Sequence, residues 1–164
     1  MIVSDAGPII IFARIGRLSL LRDVTGSLLI PDAVYDEIVV KKDCMPGAAE
    51  VAQARWIRRA SVVNDSIIDG LPNVLHEGER EAISLAKERG AQLLIDEIRA
   101  RRAAIGRAAI EWGIDVIGTL RILAEAKRLG HINLVRPIIA EMELSVYRFD
   151  RILIRRFLER IGEG

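Results

Sequence analysis

Short apolar runs alternate with longer segments of helical periodicity along most of the chain. The runs are typical of buried strands, because they are apolar over a few consecutive positions and end at polar or turn residues. Five strands are predicted, at residues 2–4, 28–30, 62–63, 93–95 and 116–117. Apolar positions at helical spacing predict helices at residues 8–21, 48–56, 78–89, 99–112, 119–129, 132–143 and 151–161, and one that starts at Pro31. The polar stretch 64–73, with Asp69-Gly70 and Pro72, predicts a loop.

This alternation predicts an α/β protein in which helices wrap a parallel sheet of about five short strands. No internal repeat, low-complexity stretch or linker interrupts the 164 residues, so we expect a single domain. In such sheets the ligand site lies beyond the carboxyl ends of the strands, where the strand order reverses. Residues that directly follow a strand are therefore the first candidates for a functional site.

Composition and charge narrow the class of protein. The chain is 51% hydrophobic but only 4% aromatic, so Ile, Leu, Val and Ala must fill its core. A net charge of +1 argues against a uniformly basic nucleic-acid binder, although a local basic patch is compatible with it. The single cysteine, Cys44, permits neither an internal disulfide nor a cysteine pair for a metal, and His76 and His131 have no cysteine partner at zinc-site spacing.

The sequence shows no sign of export or membrane insertion. Asp5 lies early and no positively charged segment precedes an apolar stretch, so the first residues do not read as a signal peptide. The longest apolar runs are too short to span a bilayer. We therefore expect a cytoplasmic protein without a membrane partner.

Two carboxylates directly follow predicted strands. Asp5 ends the first strand in MIVSDAGPII, and Asp96 ends the fourth in LLIDEIRARRAA. If the strand order reverses between these two strands, the side chains face each other across the crevice. Two more acids can join them: Glu37, on the helix that Pro31 starts, and Glu79, in the first turn of the helix at 78–89.

Each of these acids also has a purely structural interpretation. Asp5 can cap the helix that follows it, Glu79 can stabilise a helix N-terminus, and Glu37 can be a solvated helix residue. Gathered in one place, however, the four would raise one another's pKa, and a divalent cation removes that conflict. Oxygen ligands without His or Cys favour Mg²⁺ or Mn²⁺, which can activate water and neutralise a phosphodiester.

The stretches IVSDAGPII, IPDAVYDEI, GEREAISLA, LLIDEIRARRAA and GIDVIGT resemble the PIN-domain ribonucleases, the fold of the VapC-type toxins. The resemblance is closer to a prokaryotic PIN-like subfamily that opens with DAGP. It covers residues 1–130 and leaves residues 131–164 as a C-terminal helical extension. It implies a three-layer α/β/α fold and an endoribonuclease that cleaves RNA with Mg²⁺ or Mn²⁺.

The resemblance also assigns roles to residues and suggests partners. It implies that Asp5, Glu37 and Asp96 hold the principal ion and that Glu79 completes the catalytic acidic site, with Thr119 beside it. Many family members carry a further Asp near the end of strand four or five. The candidates here are Glu97 and Asp115, so one and two metal ions both remain open. A homodimer and a small antitoxin partner are also implied.

Arginines follow Asp96 and recur near the C-terminus. Arg99 and Arg102 are three residues apart on one helical face, and we expect them to contact RNA phosphates. In YRFDRILIRRFLERIGEG the apolar residues recur at helical spacing. This spacing favours a docked helix or a dimer contact over an RNA-binding surface.

Other functions are weighed against the nuclease. A PIN-like scaffold that binds RNA or a protein without cutting is the main alternative, although the four intact acids argue against a decayed site. A response-regulator receiver needs a Lys after a late strand, which GIDVIGT does not offer. A phosphatase with an Asp nucleophile needs Asp-x-Asp after the first strand, and Asp5-Ala6-Gly7 does not match.

Overall fold

The computed structural model of the protein describes residues 1–41, 47–96, 102–145 and 147–164. Its strands are β1 (Ile2–Ser4), β2 (Leu28–Ile30), β3 (Ile57–Arg59), β4 (Gln92–Leu94) and β5 (Val116–Ile117). Its α-helices are α1 (Ala6–Arg14), α2 (Leu18–Thr25), α3 (Asp32–Tyr35), α4 (Ala48–Gln53), α5 (Asp65–Asp69), α6 (Glu77–Arg89), α7 (Arg102–Trp112), α8 (Thr119–Arg128), α9 (Arg136–Leu144) and α10 (Arg151–Arg160). Within these ranges no helix is long and apolar enough to cross a membrane.

The five strands form one parallel sheet in the order β3-β2-β1-β4-β5. β1 lies at the centre, where Val3 is opposite Leu29 of β2 on one side and Leu93 of β4 on the other. The chain thus proceeds outward from β1 to β3 and then returns to the other side of β1 with β4. This reversal brings the carboxyl ends of β1 and β4 side by side, which is the condition for a crevice between them.

Helices cover both faces of the sheet. Successive side chains of a strand point to opposite faces, so Leu93 and Leu94 of β4 pack into two different hydrophobic clusters. The Leu94 cluster contains buried residues of α1, α2, α8 and α9, including the fully buried Phe12. The Leu93 cluster contains buried residues of α6 and α7, including Ile83 and Ile105. The three-layer α/β/α fold is therefore confirmed.

The prediction of a third strand at residues 62–63 is wrong. β3 instead comprises Ile57–Arg59 and pairs in register with β2. It is an edge strand with two exposed arginines, so it lacks the apolar run that marks a buried strand, whereas Val63 is 82% exposed. Charged side chains suit this place because they discourage pairing of the sheet edge with another chain.

Two helix predictions also need correction. The helix predicted at 8–21 is divided into α1 and α2 at Gly16, whose φ of 66° favours glycine. The loop predicted at 64–73 contains α5, and the Asn64 side chain caps it by accepting a hydrogen bond from the Ser66 N–H at 3.2 Å. The other predicted helices are present in the described residues, with ends that differ by a few positions.

α3 continues directly into a π-helical segment at Asp36–Val40. The Lys41 N–H closes the segment by donating to the Asp36 carbonyl, five residues back, at 2.7 Å. π-helical turns are rare and concentrate at functional sites. This one carries Glu37, one of the predicted ligands.

The chain after residue 130 packs onto the Leu94 side of the sheet. α9 and α10 contribute buried residues to that cluster, among them Met142 and Leu158. Glu163 then fixes the end of the segment, because its carboxylate pairs with Lys127 at 2.7 Å and accepts from the Val135 N–H at 2.8 Å. α10 is therefore a docked helix, as its spacing indicates.

Candidate active site

Asp5 lies where β1 ends and α1 begins. Its backbone N–H donates to the Leu94 carbonyl of β4 at 2.9 Å, which continues the pairing of the two strands to the edge of the sheet. Its side chain is the N-cap of α1, but the hydrogen bond that it accepts from the Gly7 N–H is long, at 3.4 Å. Asp5 is thus a weak cap whose carboxylate also lines a cleft at this edge.

The electrostatic environment of Asp5 is unusual. Burial raises the pKa of the Asp5 carboxyl to about 7, and the carboxylates of Glu79 and Glu37 add to the rise. The N–H groups of Ala6 and Gly7 oppose this effect and do not overcome it. A negative charge is therefore costly at Asp5, and three carboxylates of the site influence one another.

Asp96 follows β4 and is held by three hydrogen bonds. Its Oδ1 accepts from the Thr119 N–H at 2.7 Å, and its Oδ2 accepts from the Thr119 hydroxyl at 2.5 Å. The Tyr147 hydroxyl also donates to Oδ2. Burial raises the pKa of Asp96, although these hydrogen bonds to Thr119 and Tyr147 lower it. Asp96 therefore caps α8 from a neighbouring strand and has a fixed orientation.

Gly78 precedes Glu79 in sequence and lies close to Glu37 and Asp5 in space. Glu79 is only 5% exposed, and its carboxylate accepts a hydrogen bond from the His76 N–H at 2.8 Å, which closes the first turn of α6. A Cβ placed on Gly78 would lie 3.5 Å from Glu37 Oε2 and 3.6 Å from Asp5 Oδ1. The glycine therefore leaves space between these two oxygens.

An open cleft of 1180 Å³ lies at the carboxyl edge of the sheet. Asp5, Glu79 and Asp96 line one side of it, whereas Glu37 lies near Gly78 and is not part of the wall. The other side comes from the C-terminal segment. Its lining residues are Tyr147, Arg148, Phe149, Asp150, Arg151, Ile152, Leu153, Arg156, Phe157 and Arg160.

The other predicted site residues have different places. Thr119 lies against Asp96, as described, and is fully buried. Asp115 precedes β5 and accepts a hydrogen bond from Gln92 at the beginning of β4, so it lies at the opposite edge of the sheet from Asp96. Glu97 and Arg99 lie outside the described residues, as does the side chain of Arg102.

Sequence reasoning missed Tyr147 and the arginines of α10 as residues of the cleft. Tyr147 is 51 positions away from Asp96, and nothing in the local pattern YRFD marks its hydroxyl as a partner of a carboxylate. The five arginines between positions 148 and 160 were a visible signal. Their apolar neighbours suggested packing, and only the path of the chain shows that the helix also borders the acidic site.

The residues of the cleft fit a hard divalent cation by their chemistry. Every candidate ligand is a carboxylate, and the space beside Gly78 is bordered by oxygens of Asp5 and Glu37. Over the ranges that the structure describes, no group of three or more His, Cys, Asp or Glu side chains is arranged to hold one ion. Coordination by three of these carboxylates therefore requires side-chain movement. The carboxylate oxygens of Asp96 have lone pairs that its hydrogen bonds do not use, so Asp96 can still bind a cation.

Comparison with known proteins agrees with the geometry of this edge. A family model described as a PIN domain, DUF3368, matches residues 1–163. The match includes the segment 131–163, which borders the cleft. No curated protein and no solved structure is similar enough to the chain to count as a match.

Proposed function

The chain belongs to the PIN-domain family, and on that premise we propose that it is a metal-dependent endoribonuclease that hydrolyses RNA phosphodiester bonds at the acidic cleft. PIN domains are generally nucleases and typically use divalent metals. The observation that carries the proposal is the meeting of Asp5, Glu79 and Asp96 on one side of a cleft whose other side is rich in arginine. Carboxylates suit a cation, and arginines suit the phosphates of a substrate.

The proposed roles follow from how each carboxylate is held. Asp5 and Asp96 would hold Mg²⁺ or Mn²⁺ from two adjacent strand ends, with Glu37 as a further ligand, and Glu79 would orient water. When bound, the ion would activate that water and neutralise charge on the phosphodiester. Thr119 and Tyr147 fix the orientation of Asp96, and the His76 N–H fixes Glu79. These contacts already restrict the two side chains, so the carboxylates would lose less conformational freedom when a metal ion binds.

The first test is cleavage of a labelled RNA in Mg²⁺ or Mn²⁺, with and without EDTA. We expect chelation to abolish cleavage, and Asp5→Asn and Asp96→Asn to reduce it by about 100-fold or more. Asp115→Asn is the matched control, because this carboxylate is exposed and lies at the far edge of the sheet. Cleavage that survives both EDTA and Asp5→Asn would contradict the proposal.

A second function, binding of RNA or a protein without cleavage, is favoured by one observation. Both oxygens of Asp96 already accept hydrogen bonds, from Thr119 and Tyr147. Calorimetry with Mn²⁺ separates the two functions. A scaffold would bind RNA but not Mn²⁺, whereas the nuclease would bind Mn²⁺ and lose that binding in Asp96→Asn.

A toxin role, a small antitoxin partner and a homodimer extend this proposal and rest on the resemblance to the VapC-type toxins. Expression in a bacterial host tests the first of these. A toxin would arrest growth, and Asp5→Asn would relieve the arrest. Light scattering of the purified protein tests the dimer.

A further inference from the structure

The side of the cleft opposite the carboxylates is formed by an arginine-rich helix and the segment that leads into it. Arg156 and Arg160 are four residues apart on α10, so they project from the same face, and both line the cleft. Arg148 and Arg151 extend this basic surface toward the beginning of the helix, and Arg121 of α8 lies at its border. We call these five arginines the basic wall.

Two of these guanidinium groups have no partner among the residues that the structure describes. Arg17 and Arg128 form ion pairs with Glu141 and Glu125, at 2.8 and 2.5 Å. Arg156 and Arg160, by contrast, form no ion pair or hydrogen bond with any residue that the structure describes. Two cations that border one cleft and have no partner among the described residues are available for an anionic ligand.

Aromatic and apolar side chains stand among these arginines. Tyr147 and Phe149 contact each other edge to face with ring centroids 4.8 Å apart, and both line the cleft with Phe157. Ile152 and Leu153 are 55% and 43% exposed. Cationic groups interspersed with aromatic rings are the combination that binds single-stranded nucleic acid, because phosphates meet the cations and unpaired bases stack on the rings.

We infer that the basic wall binds the backbone of single-stranded RNA and leads one phosphodiester to Asp5 and Asp96 on the facing side of the cleft. This inference rests on the proposed function, because it assigns the substrate class of the same site. A single strand fits better than a duplex, since the bases of a duplex are paired and stacked and cannot reach the rings of Phe149 and Phe157. An acidic protein segment would use the arginines but would gain nothing from nucleobase stacking.

Fluorescence anisotropy of the full chain with a labelled 12-nucleotide single-stranded RNA tests the inference. The titration is done in EDTA at low salt, so that cleavage plays no part. We expect the Arg156→Ala, Arg160→Ala double variant to bind about 10-fold more weakly and to lower the salt slope by about 1.4, since each phosphate contact on a single strand contributes about 0.7. The corresponding double Lys variant should recover most of the affinity, because it keeps both charges.

Arg155→Ala is the matched control. Arg155 is adjacent to Arg156 in sequence and is also exposed, but it borders a separate hollow with Glu159 and Arg136 instead of the cleft. We expect its RNA affinity to remain within about twofold of the unmodified protein, since no phosphate contact is lost. If Arg155→Ala and the double Ala variant lose RNA affinity equally, the loss reflects net charge rather than the position of the arginines. That result would overturn the inference.

Further outcomes separate this inference from the nuclease proposal. RNA binding that depends on Arg156 and Arg160, without cleavage in any metal, would support the basic wall and contradict the nuclease. Cleavage that depends on Asp5 and is unchanged in the double Ala variant at subsaturating RNA would overturn the basic wall alone. Equal affinity for a 12-base-pair duplex would overturn the preference for single strands.

Discussion

At the scale of single residues, Asp5 has two roles that compete for the same oxygens. As an N-cap it accepts the Gly7 N–H at 3.4 Å, and as a buried carboxylate its pKa is raised by burial and by the charges of Glu79 and Glu37. Folding without a cation therefore favours the protonated form of Asp5. The resulting dependence of stability on pH can be measured.

In EDTA we expect the stability of the protein to fall as pH rises from about 4 to about 7. The unfolded chain releases the Asp5 proton near the ordinary aspartate pKa of 3.8, whereas the folded chain keeps it until about 7, so folding takes up a proton between these values. Asp5→Asn removes this loss and should be more stable than the unmodified protein at pH 8, by up to roughly 4 kcal/mol. Urea unfolding from pH 4 to pH 8 measures the difference.

Two further measurements sharpen this prediction. Mn²⁺ at pH 8 should stabilise the unmodified protein and leave Asp5→Asn unchanged, because the ion binds only the folded carboxylate site. Asp69→Asn, at an exposed position, should reproduce the pH profile of the unmodified protein. A flat profile in EDTA would show that the charge of Asp5 is not costly.

At the scale of elements, the site depends on helix starts that follow strand ends. α1 begins at Asp5, α8 begins where Asp96 caps it, and α6 begins at the turn that Glu79 closes. The π-helical segment at Asp36–Val40 brings Glu37 to Gly78. Because strand ends and helices carry these side chains, the secondary structure rather than loop conformation sets the positions of the carboxylates.

Gly78→Ala tests this arrangement. The added Cβ would lie 3.3 Å from Val34 Cγ2 and would fill the space between Glu37 Oε2 and Asp5 Oδ1. We expect Mn²⁺ affinity and RNA cleavage to fall by about 10-fold or more, because the oxygens can no longer approach one ion. Calorimetry and a cleavage assay measure the two effects.

Gly106→Ala is the matched control for this substitution. Gly106 lies within α7, and a Cβ there meets nothing within 4 Å. Replacement of a helical glycine by alanine should raise stability by about 0.5–1 kcal/mol and leave Mn²⁺ affinity unchanged. If Gly78→Ala behaves in the same way, the space beside Gly78 is not part of a metal site.

At the scale of the whole molecule, the cleft exists because the C-terminal segment returns to the sheet edge. Glu163 holds that segment: its carboxylate is 4% exposed, pairs with Lys127 and accepts the Val135 N–H. Burial raises the pKa of Glu163, but these contacts outweigh it and hold the pKa below the usual value. The position of α10 opposite Asp96 thus depends on a contact far from the acidic site.

Glu163→Gln is expected to destabilise the protein by about 1–3 kcal/mol at pH 7, because it removes the charge that partners a mostly buried Lys127. A lowered carboxyl pKa gives stability that is present above the unfolded value of 4.5 and is lost as pH falls through the folded value. The difference between the two proteins should therefore shrink at pH 3. Urea unfolding at both pH values measures it.

Glu125→Gln is the control for this prediction. Glu125 pairs with Arg128 at the surface, where the side chain of Arg128 is 68% exposed, and exposed ion pairs contribute little to stability. We expect its unfolding curve to overlay that of the unmodified protein. A similar loss in both variants would argue against a special role for the buried Glu163.

Local sequence patterns are sufficient to predict the features that depend on local physics. Buried strands are apolar over consecutive residues, so β1, β2, β4 and β5 were predictable, and their alternation with helices indicated the parallel sheet. The edge strand β3 was not predictable in this way, because its arginines are compatible with a strand only at the edge of a sheet. The four acidic candidates could also be identified from the sequence. Two of them directly follow predicted strands, and the other two lie on predicted helices.

The surroundings of these acids depend on long-range contacts, which become visible only in the folded chain. Strand order places Asp5 beside Asp96, and the return of the chain brings Tyr147 to Asp96 and the arginines of α10 to the opposite side of the cleft. Such contacts join residues far apart in sequence and leave no periodic trace in it, because periodicity reports one element and its buried face. The sequence therefore indicated an acidic site, and the path of the C-terminal segment gave that site its basic wall.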